Sequence, residues 1–127
     1  MEQRWTLTQQ RTLIPAKVRF TFLSSLRQLG DTKKRPVVVV SPDIRNEFTD
    51  SVIVVPFTSN LAGLENPTRV LIPAGEGGLQ ADSLAVCENV SALRQTFLEQ
   101  GPYGQISAVC LARIQRAVQV SIGIYEL

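Results

Sequence analysis

Apolar residues along this chain gather in short runs separated by turn-forming residues. In "AKVRFTFL" (16–23), Val18, Phe20 and Phe22 alternate with Lys17, Arg19 and Thr21. That period of two predicts a strand with one buried face. "PVVVV" (36–40) is β-branched and apolar throughout, as a strand covered on both faces would be. Pro36 is acceptable as the first residue of such a strand. "SVIVVPFTS" (51–59) predicts a second apolar strand. Its Pro56 lacks an N–H, so either the hydrogen-bond ladder is interrupted there or the strand lies at an edge. "TRVLI" (68–72) reads as a further strand and "SLAVCENVSAL" (83–93) as one long strand. The pieces between them read as connections: "SSLRQLGDTKK" with its Gly30-Asp31 turn, "SPDIRNEFTD", "NLAGLENP" and "PAGEGGLQAD".

The period changes after "GPYGQIS". Leu111, Ile114, Val118 and Ile122 recur at helical spacing, with Ala108, Ala112 and Ala117 filling the same broad face. Ser107 is a good N-cap and Gly123 a good stop. The expectation is a mostly β domain with one α-helix: a small, antiparallel, barrel-like sheet covered by a C-terminal amphipathic helix. One domain spans 1–127, opened by a polar extension over 1–15 that is rich in Gln and Thr.

Composition narrows the chemistry. A chain of 127 residues with 44% hydrophobic content can bury a core without metals or disulfides. The net charge is only +2, so the position of charges matters more than their sum. There is no His, which removes the commonest general base and the commonest metal ligand, and with it any Ser-His-Asp arrangement. Cys87 and Cys110 each lie in an apolar run and read as buried free thiols of a reducing cytosol. Two Cys without His cannot make the usual zinc site. No apolar run approaches the roughly 18 residues of a membrane span. The N-terminus lacks the apolar centre of a signal peptide, so a cytoplasmic protein is expected.

The Gly-rich piece "AGEGG" lacks the Lys-Ser/Thr ending of a phosphate loop and reads as a surface loop. Asp43, Glu47 and Asp50 have the chemistry of Mg²⁺ ligands, but a solvated loop is the plainer account. What remains is a basic cluster, Lys33, Lys34 and Arg35, at the mouth of one apolar strand, and Thr58 with Ser59 at the end of the next. If the two strands neighbour each other antiparallel, a guanidinium and a hydroxyl share one mouth of the sheet. A guanidinium presents a planar fork of donors that fits a phosphate. Without His or metal, phosphoryl chemistry rests on such charge stabilisation and on positioning. The alternative is an exposed basic turn beside an ordinary strand-end threonine.

The order of these residues resembles the MazF/PemK family of toxin endoribonucleases. The family's Arg-Pro-Val-Val-Val-Val strand, its loop with an Asp and an Asn, and its Val-Ile-Val-rich strand ending in Pro-x-Thr-Ser are matched by "RPVVVV", "PDIRN" and "SVIVVPFTS". "NPTRVLI" is similar to its Pro-Thr-His-Val strand and "GLQADSLAVCENVSAL" to its Gly-Leu…Asp-Ser…Glu-Gln-Ile strand. The C-terminal "ISAVCLARIQRAVQVSIGI" is similar to its closing helix. The resemblance covers residues 35–124 and implies an SH3-like barrel, a homodimer, a cognate antitoxin, and metal-independent cleavage of single-stranded RNA, with no cofactor. It makes Arg35 and Thr58 catalytic, with Ser59 beside them at the site. It implies attack of the ribose 2′-hydroxyl on the adjacent phosphate, leaving a 2′,3′-cyclic phosphate and a 5′-hydroxyl. The substrate then supplies its own nucleophile, which suits a chain without His.

The front of the chain departs from the family. The opening Arg-Gly-Asp/Glu is missing, and so is the first loop's Glu. Asp31 is the nearby carboxylate, one position closer to Arg35 than the family spacing puts it, and is the candidate acid or base. Lys33 and Lys34, compact charges on long stems, are candidate contacts to the RNA backbone. The competing reading is a catalytically weak module of the same fold that binds RNA or a protein target, as gyrase-poisoning relatives do.

Overall fold

The computed structural model describes residues 19–23 as backbone, and 35–95, 98 and 104–124 with their side chains. The expected extension over 1–15 and most of the first connection, with Asp31, Lys33 and Lys34, lie outside the described residues. The elements in chain order are β1 (Arg19–Leu23), β2 (Arg35–Val39), α1 (Asp43–Asn46), β3 (Ser51–Thr58), β4 (Arg69–Ile72), β5 (Ser83–Val86), β6 (Ser91–Arg94), β7 (Gly104–Gln105) and α2 (Ala108–Ser121).

Among the described residues all the strand pairs are antiparallel. The path runs β4-β5-β3-β2-β1-β7, with β6 also paired to β3. The mostly antiparallel class with a C-terminal helix is therefore as expected, although among the described residues the ladder does not close and the barrel is an open one. The reason for the curl lies in β3. Its first half, Ser51–Val54, pairs with β6, and its end, Phe57–Thr58, pairs with β5. Between these two ladders Val55 and Pro56 have no partner on that side, and the missing N–H of Pro56 falls in this gap. Of the two options the sequence left for Pro56, interruption is the one realised, because β3 is an interior strand.

The run 83–93 is not one strand. Phe57 faces Ala85 and Val54 faces Ser91, so three steps along β3 are matched by six along its partner. The surplus forms a 3-10 turn at Cys87–Asn89 that separates β5 from β6. Local pattern could not show this, because both halves are apolar enough for a strand and only the shared partner forces the corner. Likewise the connection 41–50 contains one helical turn, α1. It is held by side chains: Ser41 Oγ donates to Asn46 Oδ1 at 2.7 Å, and Arg45 donates to the Ser51 carbonyl at 2.9 Å.

Two apolar clusters lie on opposite faces of the sheet. Val38, Val55, Phe57, Ile72 and Ala85 form the larger one with Ile106, Cys110, Leu111, Ile114 and Ala117 from the α2 side. Val37, Val52 and Val54 form the smaller, with Val39, Leu93 and Leu98 against it. Val37 and Val38 are both fully buried, one in each cluster, as a strand covered on both faces requires. Burial of one such side chain stabilises the fold by about 1.5–3 kcal/mol.

Helix α2 starts as expected, with Ser107 Oγ accepting from the Cys110 N–H at 3.2 Å. A second acceptor comes from outside: Glu76 Oε1 takes the Ser107 N–H at 2.8 Å. The Gly-rich piece thus serves as a joint between sheet and helix. Gly104 belongs to it, since a Cβ there would sit 2.5 Å from the Gly77 carbonyl oxygen. The buried stripe of α2 is Cys110, Leu111, Ile114 and Ala117. Ala108, Ala112 and Ile122, expected on that face, are exposed, because Cys110 takes the inward position and the stripe is narrower than the sequence implied.

Candidate active site

Arg35 opens β2 and Thr58 closes β3. The two strands are antiparallel neighbours, in register at Val37↔Pro56, Val38↔Val55 and Val39↔Val54. Carried two residues outward, that register sets Arg35 across from Thr58. Parity settles the face. Arg35 shares the side of Val37, and Thr58 shares the side of Val54, so both lie on the face of the smaller cluster, turned away from α2. On its other side Arg35 is paired with Leu23 of β1, and Thr58 is paired with Leu84 of β5. The backbone at both positions is therefore held by a neighbouring strand.

Arg35 is exposed and Thr58 is half-buried. Thr58 Oγ1 accepts the Asn60 N–H at 3.2 Å, which occupies a lone pair and leaves its hydrogen to donate elsewhere. Asn60 Oδ1 then accepts the Ala62 N–H at 3.0 Å, so the chain leaving the site winds into a tight turn. Ser59 is exposed at its start. The structure thus brings Arg35, Thr58 and Ser59 to one mouth of the sheet.

Among the described residues no three or more Asp, Glu, Cys or His side chains gather where they could hold a metal ion. Asp43, Glu47 and Asp50 are exposed around α1, at the closed end of the β2–β3 hairpin and away from Arg35 and Thr58. Both cysteines are buried and free. Burial first, and Glu88 beside it second, push the Cys87 thiol up to about 12, so it is an inert core group.

Sequence reasoning missed one polar cluster. Arg69 Nη2 lies 3.0 Å from Glu88 Oε2, and Thr68 Oγ1 donates to Glu88 Oε1. Hydrogen bonds from Arg69 first and Thr68 next hold the Glu88 carboxyl below the usual carboxylate range. Arg69 and Glu88 are 19 positions apart on separate elements, so no local spacing could join them.

The chain belongs to the family of PemK-like, MazF-like toxins of type II toxin-antitoxin systems, whose model matches residues 20–122. It is 26% identical over 93 residues to the endoribonuclease MazF of Staphylococcus saprophyticus, covering 73% of this chain and 77% of that protein. It also resembles the crystal structure of MazF from Deinococcus radiodurans, with a TM-score of 0.69 and 22% identity over 87% of this chain and 97% of that one. A mycobacterial endoribonuclease in complex with its cognate antitoxin has a TM-score of 0.67 and 18% identity over 90% of this chain and 98% of that one. Among the described residues no helix is long and apolar enough to cross a membrane.

Proposed function

We propose that this chain is a toxin endoribonuclease that cleaves single-stranded RNA without a metal ion, using Arg35 and Thr58. The reading is supported by one observation: Arg35 opens β2 and Thr58 closes β3, each two residues beyond the Val37↔Pro56 pair at the same end of these neighbouring strands. The ribose 2′-oxygen attacks the adjacent phosphorus and the bond from phosphorus to the 5′-oxygen breaks. A 2′,3′-cyclic phosphate and a 5′-hydroxyl remain. The guanidinium fork of Arg35 binds the non-bridging oxygens, and the Thr58 hydroxyl donates to the same oxygens as their charge rises. Asp31 is the candidate to take the 2′-proton, the departing 5′-oxygen takes a proton from solvent, and Ser59 borders the flanking nucleotide.

The protein works as a cytoplasmic homodimer held in check by a cognate antitoxin. Val109, Ile122 and Ile124, 70%, 61% and 62% exposed along and after α2, supply apolar surface for a partner to cover. An antitoxin segment lying over Arg35 would exclude RNA by occupying the same mouth. Long single-stranded RNA incubated with the protein in EDTA should be cut, with cyclic phosphate at the new 3′ ends, and added antitoxin should suppress cutting. Intact RNA under these conditions, or cutting that EDTA abolishes, would refute the metal-independent mechanism.

Lys33 and Lys34 contribute general attraction to the RNA backbone, and Arg35 aims at the scissile phosphate. Replacing both lysines by Gln should lower the slope of log affinity against log salt by about 1.4, the single-strand value for two lost contacts. Single-turnover cleavage at saturating RNA should be little changed. Equal effects on binding and cleavage from any of the three positions would make the cluster a generic basic patch.

A further inference from the structure

The chain leaving Thr58 does not run directly into β4. It makes a turn over residues 59–68 whose exposed surface includes Leu61 and Leu64, 40% and 48% exposed. The turn starts directly after Thr58, so a nucleotide flanking a phosphate held at Arg35 and Thr58 has it as a neighbour. Its conformation is held from within, where the Asn66 N–H donates to the Gly63 carbonyl at 2.9 Å, and from outside. Arg69, the first residue of β4, points Nη2 at Glu88 Oε2 at 3.0 Å, Nε at Glu88 Oε1 at 3.4 Å, and Nη1 at the Ala62 carbonyl at 3.5 Å. Gly63 lies against the same guanidinium: a Cβ there would be 3.1 Å from Nη1, and its φ of +88° suits glycine. Asn66 Oδ1 accepts the Thr68 N–H at 2.9 Å, and the Cys87 N–H donates to the Thr68 carbonyl at 3.0 Å. Glu88 sits in the 3-10 turn that interrupts the β5–β6 run, so the corner in the sheet presents this carboxylate to the turn.

We propose that Glu88 and Arg69 are positioning residues, a brace that holds the 59–68 turn in the shape that selects the nucleotides beside the scissile phosphate. The proposal rests on the ribonuclease reading above. An exposed ion pair contributes little to folding stability, so the consequence of this one is local order. The carboxylate, held low in pKa by its partners, keeps its charge as pH falls through the ordinary carboxylate range. The brace is lost only as pH falls through that lowered value. Sequence selection should accordingly hold from neutral pH through the ordinary carboxylate range and relax only in stronger acid.

The test uses the full chain, the variant Glu88→Gln, and the reversal Arg69→Glu with Glu88→Arg. The first removes the charge while keeping the side chain's size and an acceptor for Thr68; the reversal restores a charge pair. The substrate is single-stranded RNA with a randomised window, its cut ends mapped by sequencing, beside amide hydrogen exchange of residues 60–66. Glu88→Gln should speed exchange in the turn about tenfold, leaving the β3 core protected. KM for the preferred sequence should rise about three- to tenfold with kcat held within about twofold, and the sequence preference should flatten. The reversal should recover neither, because a carboxylate at position 69 cannot donate to the Ala62 carbonyl and a guanidinium at position 88 cannot accept from Thr68. Unchanged exchange and unchanged preference would overturn the proposal. So would a collapse of single-turnover cleavage with exchange unchanged, which would put Glu88 on the reacting atoms. Should the wild-type chain cut no RNA, the ribonuclease reading fails by itself. Fluorescence anisotropy of selected against scrambled RNA then decides the brace: selectivity lost with turn protection supports it, and selectivity kept without turn protection overturns it.

Discussion

Arg35→Ala should reduce single-turnover cleavage by about 10²–10³-fold while leaving the fold intact, the range seen when one preorganised donor to a developing oxyanion is removed. Arg35 is an exposed residue at the first position of β2, and neither apolar cluster includes it. Its removal therefore should not cost core packing, and the thermal midpoint should stay near that of the wild type. RNA binding should fall only modestly, because one phosphate contact among several is lost and charge development in the transition state is what the guanidinium chiefly answers. Arg35→Lys should recover little. An ammonium is a point charge on a flexible stem, whereas the fork bonds two oxygens in one plane. Rapid mixing at saturating RNA, with the circular dichroism melt as the folding control, reads both quantities. Near-full cleavage by Arg35→Ala would remove this residue from the mechanism.

Ile114→Ala should destabilise the protein by about 2–5 kcal/mol, the cost of deleting a buried aliphatic side chain and leaving a cavity. Ile114 is fully buried in the larger cluster, at the centre of the buried stripe of α2. A domain of ordinary stability has about 5–15 kcal/mol in all, so the loss would be a large fraction of it. Ala112→Glu is the matching control. Ala112 is exposed in the structure, and the change should stay within about 0.5 kcal/mol. Urea unfolding of the two variants checks the placement of the helix: an Ala112→Glu protein as damaged as Ile114→Ala would mean that α2 is rotated from the orientation described above.

The helix shows what a sequence can carry. Its start at Ser107 and its helical period follow from capping chemistry and side-chain spacing, which act within a few residues and so are written locally. The strands β2 and β3 are equally legible, because β-branched runs bounded by Pro, Asp and Ser leave few alternatives. Arg35 and Thr58 could be marked as candidates from their chemistry and from the absence of His, and their order along the chain carried the family resemblance.

The tertiary structure decided the rest, and in each case a partner distant in sequence is the cause. Two partners along one edge of β3 break the 83–93 run and place Pro56 in the gap between them. Inward packing of Cys110 narrows the helix stripe and leaves Ala108, Ala112 and Ile122 outside. Strand register puts Arg35 and Thr58 on the face opposite α2, a matter of parity that turns over if the pairing slips by one residue. The joining of Arg69 to Glu88 depends on β4 lying beside β5, so the charges meet only after the sheet has formed. Sequence by itself determined the apolar strands up to β4, the closing helix and which residues have the chemistry; the long-range pairing of strands determined how 83–93 divides and which residues lie at one end of the sheet, because a hydrogen-bond ladder links segments that no local pattern connects.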